Sequence, residues 1–199
     1  LQCGVSGDKV SIVPGFLGVD ASPALSIPDM VRDFVDSHEP VFGATASVDP
    51  EYGIPLMLAL LERLYSTYPR LGLILMGPNL DAVRSQYEPL PGNVLATGPL
   101  PHASVIGTMQ QLHVFLRPTH FDGDSISVRE ALALNIPVVA SQVGFRPPGV
   151  TLFPAGNLEA FVAAVDTVLH DNTSRTDTSG CQEHSPRERL TKVYNQLFQ

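Results

Sequence analysis

The sequence predicts an α/β fold, a doubly wound Rossmann-like parallel sheet of about six strands, on two observations. Short apolar runs alternate with stretches of helical spacing from Val41 to Leu169, and the connections between them are short. Strands that alternate with helices through short connections form a parallel sheet covered on both faces. Right-handed crossovers then wind the chain outward in both directions from the middle.

Each element has its own justification. VFGATA (41–46) is an apolar run that reads as a buried strand. Ile54, Leu56, Met57, Leu60, Leu61, Leu64 and Tyr65 recur at helical spacing, and Pro69 closes that helix. LGLILMG (71–77) is a second strand ending in a Gly-Pro-Asn turn. Asp81 to Tyr87 reads as a short helix, Asn93 to Thr97 as a third strand, and Pro101 to Gln111 as a helix with Pro and His in its first turn. LHVFLRP (112–118) is a fourth strand, stopped by its proline. A loop, a helix at about 125–134 and the strand IPVVAS follow. GVTLFPAGN (149–157) holds a sixth strand and ends on Asn157, the expected N-cap of LEAFVAAVDTVL.

The flanks read differently, so the expected division is 1–39, 40–170 and 171–199. Residues 1–39 contain one apolar run, KVSIVPGFL, and then a Pro-, Asp- and Ser-rich stretch that reads as linker. DNTSRTDTSGCQEHSP (171–186) reads as a polar loop, and RERLTKVYNQLF as a terminal helix.

Bulk properties narrow the function. Of 199 residues, 44% are hydrophobic and 16% charged, which suits a globular domain. Twelve basic against twenty acidic residues give −8 with no Lys/Arg-rich block, which disfavours a nucleic-acid footprint or an anionic membrane patch. A small phosphorylated ligand stays open, because backbone amides and a few side chains suffice to hold one. Cys3 and Cys181 lie far apart without a C-x-x-C pair, so two reduced thiols are expected rather than a disulfide. No apolar stretch is long enough for a transmembrane helix, and LQCGVSGDKV lacks the basic and apolar regions of a signal peptide. Its lack of an initiator Met suggests a processed chain or an excised piece.

The loop after the fourth strand carries the chemistry. In PTHFDGDSISVREALALNIPVVAS, the residues Asp122, Gly123, Asp124 and Ser125 stand where a helix begins, at the carboxyl end of a strand where open parallel sheets bind ligands. Amides at such a helix start suit an anion, and Asp124 or Ser125 equally suits an N-cap; both readings stand. Glu130 interrupts an apolar series in the same helix. A carboxylate there needs solvent, an arginine such as Arg129 or Arg146, or ligand hydroxyls, since unpaired burial is costly. His113, His120, Asp122 and Asp124 fit no standard metal spacing. Ser125 and Ser127 lack a nucleophile elbow, and no G-x-G-x-x-G follows the first strand.

Asp122 and Glu130, separated by seven residues and followed by ALALNIPVVAS, VG and LFPAGN, form an arrangement that resembles retaining glycosyltransferases of family 4, which have the two-domain GT-B architecture. The string D-G-D-S-I-S-V-R-E-A-L-A-L-N-I-P-V-V-A is similar to that family's E-P-F-G-L-V-V-L-E-A-M-A-C-G-x-P-V-V-A. YGIPLMLALLERLYSTYPRLGLILMGPN and NVLATGPLPHASVIGTMQQLHVFLRPT resemble its preceding segments in order and spacing, and KVSIVPGFL resembles the segment leaving the first GT-B domain, so the likeness covers about residues 8–170.

The resemblance implies the C-terminal, donor-binding domain of an enzyme that transfers a sugar with retention to a glycan or glycolipid, with a nucleotide-diphosphate sugar as partner and no obligatory metal. It assigns Asp122 to the transferred sugar, Glu130 to the ribose, and Gly123, Asp124 and Ser125 to sugar and diphosphate. Gly98 and Pro99 fall where the base is contacted, and Gly43, at the end of the first strand, near the diphosphate. The family's acceptor site lies in an N-terminal domain that this chain does not contain, so an excised donor domain, inactive alone, is expected. Any membrane contact would then run through that missing domain, and the expected location is the cytoplasm, peripheral to the inner membrane face. Where the family places an Arg and a Lys against the diphosphate, this sequence has Ala44 and Tyr52, leaving Arg117, Arg129 and Arg146 as candidate substitutes. That loss also favours the alternative of a non-catalytic nucleotide-binding or regulatory module, or a structural interaction domain of the same fold.

Overall fold

A computed structural model describes residues 18–19, 26–78, 80–87 and 89–171 of the chain. The run KVSIVPGFL, the two cysteines, the polar stretch after Asp171 and the expected terminal helix lie outside the described residues.

Six strands form one parallel sheet: β1 (Val41–Thr45), β2 (Gly72–Met76), β3 (Val94–Ala96), β4 (Val114–Arg117), β5 (Val138–Ser141) and β6 (Val150–Phe153). Their order is β3-β2-β1-β4-β5-β6, the expected doubly wound arrangement. The chain runs outward through β2 and β3 on one side of β1, then returns to start β4 on the other. Neighbouring crossovers therefore diverge between β1 and β4, and that divergence opens a crevice beyond their carboxyl ends.

The helices are α1 (Asp29–Ser37), α2 (Ile54–Leu64), α3 (Leu80–Gln86), α4 (His102–Met109), α5 (Ile126–Ala133) and α6 (Leu158–Asp171). The two-residue side-chain period of each strand splits the core in two. Phe42, Leu73, Leu75, Val114, Leu116 and Val139 face a layer built by α2, α3 and α6, with Leu60, Val83 and Phe161 among its buried residues. Val41, Ile74, Met76, Phe115 and Val138 face the opposite layer of α1, α4 and α5, with Val31, Met109 and Val128. Because both faces are covered, β2 is buried at every residue. The Phe153 and Phe161 rings stack with centroids 4.4 Å apart, tying β6 to α6. Asn157 accepts a hydrogen bond at Oδ1 from the Ala160 amide (3.0 Å), the N-cap geometry expected for α6.

The stretch expected to be linker contains α1. Its Pro, Asp and Ser content conceals Val31, Phe34 and Val35 at helical spacing, and Val31 is fully buried. Phe34 closes over Gly72, where an added Cβ would lie 2.7 Å from the Phe34 ring.

Candidate functional site

The crevice at the β1/β4 divergence is an open cleft of about 580 Å³. Its floor and walls come from residues at or just past the carboxyl ends of β1, β2 and β4, from the loop after β3, and from the start of α5. Two glycines hold these chain ends close. Gly77, just past β2, has φ +152°, and an added Cβ would run into the Ala46 carbonyl oxygen. Gly53, at φ +68°, packs against the Pro118 carbonyl in the same way, which sets Tyr52 beside the end of β4.

Arg117, the last residue of β4, lines the cleft. Its Nε donates to Asp122 Oδ2 (2.9 Å), Nη1 to the Thr45 carbonyl (3.0 Å) and to Thr45 Oγ1 (3.3 Å), and Nη2 to Asp122 Oδ1 (3.4 Å). The guanidinium lies over the Tyr52 ring, 5.1 Å from its centroid. Arg146 reaches the same carboxylate from behind: Nη1 donates to Asp122 Oδ2 (2.9 Å), Nε to the Ser141 carbonyl (3.1 Å) and Nη2 to Thr119 Oγ1 (3.1 Å). Asp122 Oδ1 also accepts from the Gly123 amide (3.0 Å). Burial raises the Asp122 pKa, but hydrogen bonds and charge from Arg117 and then Arg146 outweigh it and hold the carboxyl below its ordinary value.

At the start of α5, Ser125 occupies the N-cap position without a side-chain cap hydrogen bond. Its Oγ instead lies 3.1 Å from Ser127 Oγ, which accepts from Thr45 Oγ1 (2.9 Å). Asp124 does not cap either; it binds Arg129 through two hydrogen bonds of 2.7 and 3.0 Å. Capping therefore does not account for either side chain. Arg129 also lies 5.4 Å from the Phe145 ring centroid and is not part of the cleft lining.

Glu130 is 7% exposed, and its Oε1 accepts a hydrogen bond of 2.6 Å from His102 Nε2 at the start of α4. Its partner is neither Arg129 nor Arg146. It stands one turn past Ile126 and Ser127, which line the cleft. Pro99 lines the cleft beside β3; Gly98, at φ +72°, precedes it, with open space where a Cβ would stand. Gly123 follows Asp122 in the loop above α5.

Gly43 is placed differently from the expectation. It is the middle residue of β1, paired with Ile74 and Phe115, and an added Cβ would run into the Leu112 side chain. The strand continues for two more residues, so Thr45 rather than Gly43 reaches the cleft. Sequence reasoning also missed His102 as the partner of Glu130 and Thr45 as the hydroxyl bridging Arg117 to Ser127. A histidine in the first turn of α4 was the available signal for the first. Nothing local marks the second. Among the described residues no group of three His, Cys, Asp or Glu is arranged to hold a metal ion, and no helix is long and apolar enough to cross a membrane.

Residues 39–171 match the protein family described as glycosyl transferases group 1. A Homo sapiens phosphatidylinositol N-acetylglucosaminyltransferase subunit is 30% identical over 153 residues, 74% of this chain and 30% of that protein. Phosphatidyl-myo-inositol mannosyltransferase of Mycolicibacterium smegmatis is 27% identical over 136 residues, 64% of this chain and 35% of that protein. The chain thus spans about a third of the length of these relatives. Among solved structures, Anabaena Alr3699/HepE in complex with UDP superposes with a TM-score of 0.66 at 19% identity, over 86% of this chain and 50% of that one. Sucrose-phosphate synthase from Thermosynechococcus elongatus gives 0.64 at 20% identity, over 86% and 49%.

Proposed function

The chain belongs to the glycosyl transferases group 1 family, and from that premise we propose that it is the donor half of a two-lobed transferase. In this reading residues 40–170 bind a nucleoside-diphosphate sugar, and a second lobe brings the acceptor. The sugar, a hexose, is transferred with retention to a glycan or glycolipid. The observation that carries the reading is the cleft at the β1/β4 divergence, where doubly wound sheets bind nucleotides, with a guanidinium and three hydroxyls in one connected network. The Anabaena neighbour's UDP complex makes UDP the first probe.

In this assignment Glu130 accepts the ribose hydroxyls from its place behind Ser127, and Pro99 and Gly98 flank the base. The amides of Gly123, Asp124 and Ser125 face the diphosphate and sugar, next to Asp122. The leaving diphosphate needs no bound metal where a preorganised guanidinium and hydroxyls face its developing charge. The names of both relatives refer to phosphatidylinositol, which favours a glycolipid acceptor.

The test is isothermal titration of UDP, GDP, UDP-glucose and a GDP-sugar into the chain and into Glu130→Ala. At least one nucleotide is expected to saturate the wild type. Glu130→Ala is expected to bind it about tenfold or more weakly, the scale of losing a hydrogen bond to a charged group. No saturable binding by any nucleotide would overturn the proposal, and unchanged affinity in Glu130→Ala would remove the ribose role.

A further inference from the structure

We propose that Arg117 is the cation that grips the diphosphate, in place of the basic pair that Ala44 and Tyr52 do not supply; the inference rests on the nucleotide-binding reading above. Of the three arginines near the site, only Arg117 lines the cleft. Arg129 is committed to Asp124 by both of its hydrogen bonds. Arg146 is 4% exposed and spends its donors on Ser141, Thr119 and Asp122.

Charge and geometry both point the same way. Three guanidinia face two carboxylates, Asp122 and Asp124, so one positive charge in the cluster has no carboxylate of its own. Arg117 and Arg146 share Asp122, and of the two only Arg117 meets the cleft. A guanidinium has five N–H donors. Arg117 makes four hydrogen bonds, two of them long at 3.3 and 3.4 Å, which leaves one Nη2 hydrogen uncommitted among the described residues. The Tyr52 ring and the Thr45 carbonyl hold the guanidinium in place before any ligand arrives. Tyr52 therefore takes part not as a cation but as the platform beneath one.

The hydroxyl relay extends the grip. Thr45 Oγ1 accepts from Arg117 and donates to Ser127, which is linked in turn to Ser125. Whichever serine donates in the Ser125–Ser127 bond, three hydroxyls joined by two bonds leave one O–H uncommitted among the described residues, placed along the same wall. Phosphate oxygens bridging Arg117 and this O–H would receive a charge-assisted bond and a neutral one.

UDP, UMP and uridine are titrated into wild type, Arg117→Gln and Arg117→Lys, with circular dichroism checking that each variant folds. Arg146 stays with Asp122 in Arg117→Gln, so no carboxylate is left alone. Arg117→Gln is expected to bind UDP about tenfold or more weakly than wild type, with uridine affinity unchanged. Raising the salt should weaken UDP binding more steeply in wild type than in the variant. Arg117→Lys keeps the charge but not the fork, and is expected to fall between the two. Should Arg117→Gln not fold, the Lys variant decides: a severalfold loss for UDP with none for uridine supports the proposal, and wild-type UDP affinity overturns it. Wild-type UDP affinity in a folded Arg117→Gln overturns it equally, leaving the nucleotide site itself intact. Where the wild type takes GDP instead of UDP, GDP, GMP and guanosine replace the uridine series; failure to bind any member of either series overturns the underlying reading instead.

Discussion

Replacing Asp122 by asparagine removes the charge that both Arg117 and Arg146 share. The side chains of the three are 11%, 12% and 4% exposed, so the pairing is largely shielded from water. Removing one partner of a buried ion pair costs about 3–5 kcal/mol, chiefly because a desolvated charge is left uncompensated. Here the loss falls near the lower end, about 3 kcal/mol. Arg117 keeps the Thr45 carbonyl and Arg146 keeps the Ser141 carbonyl, and asparagine still offers one acceptor oxygen. For a domain of this size that corresponds to a fall in Tm of roughly 6–12 °C. The folded-state pKa of Asp122 lies below the ordinary 3.8. Its stabilisation is therefore fully present above that value and lost as pH falls through the folded pKa. Urea unfolding of wild type and Asp122→Asn from neutral pH down to about pH 3 reads both effects. The gap should be widest near neutrality and should narrow below about pH 4 as the wild-type carboxylate protonates. A variant within about 0.5 kcal/mol of wild type, or a gap that does not change with pH, would refute the shared-carboxylate account.

Two further perturbations test the frame around the cleft. Gly77→Ala drives a Cβ into the Ala46 carbonyl at a φ that L-residues rarely adopt, and should cost about 2–3 kcal/mol in urea unfolding; a loss under 0.5 kcal/mol would contradict that close approach. Phe161→Ala removes a fully buried ring and its stack on Phe153, with an expected loss of about 3–5 kcal/mol by the same measurement; a loss below 1 kcal/mol would mean that α6 is not packed as described.

Much of this was legible in the chain itself. Strands buried on both faces are apolar throughout, so LGLILMG, closed by a Gly-Pro-Asn turn, reads as a strand, and β2 is one. The helix of residues 29–37 is marked only by its period, Val31, Phe34 and Val35 on one face, while the Asp, Ser and Pro around them read as linker. At the site, composition marked the loop, since Asp122, Asp124 and Ser125 before an apolar run are conspicuous. The partners were not marked. Arg146 lies twenty-four residues from Asp122, and His102 twenty-eight from Glu130, and only the fold decides such pairings. Gly43 was misplaced because its motif position is local, whereas the point at which β1 ends is fixed by pairing with β2 as far as Met76.

The central claim, that the β1/β4 cleft receives a nucleoside diphosphate, is tested most directly by a crystal structure of the chain grown with a saturating concentration of UDP or GDP, whichever the titration shows to bind. The account predicts the diphosphate in that cleft, with a phosphate oxygen within hydrogen-bond distance of Arg117 and the ribose beside Glu130. The nucleotide bound elsewhere on the molecule, or a cleft holding no nucleotide at saturation, would contradict it.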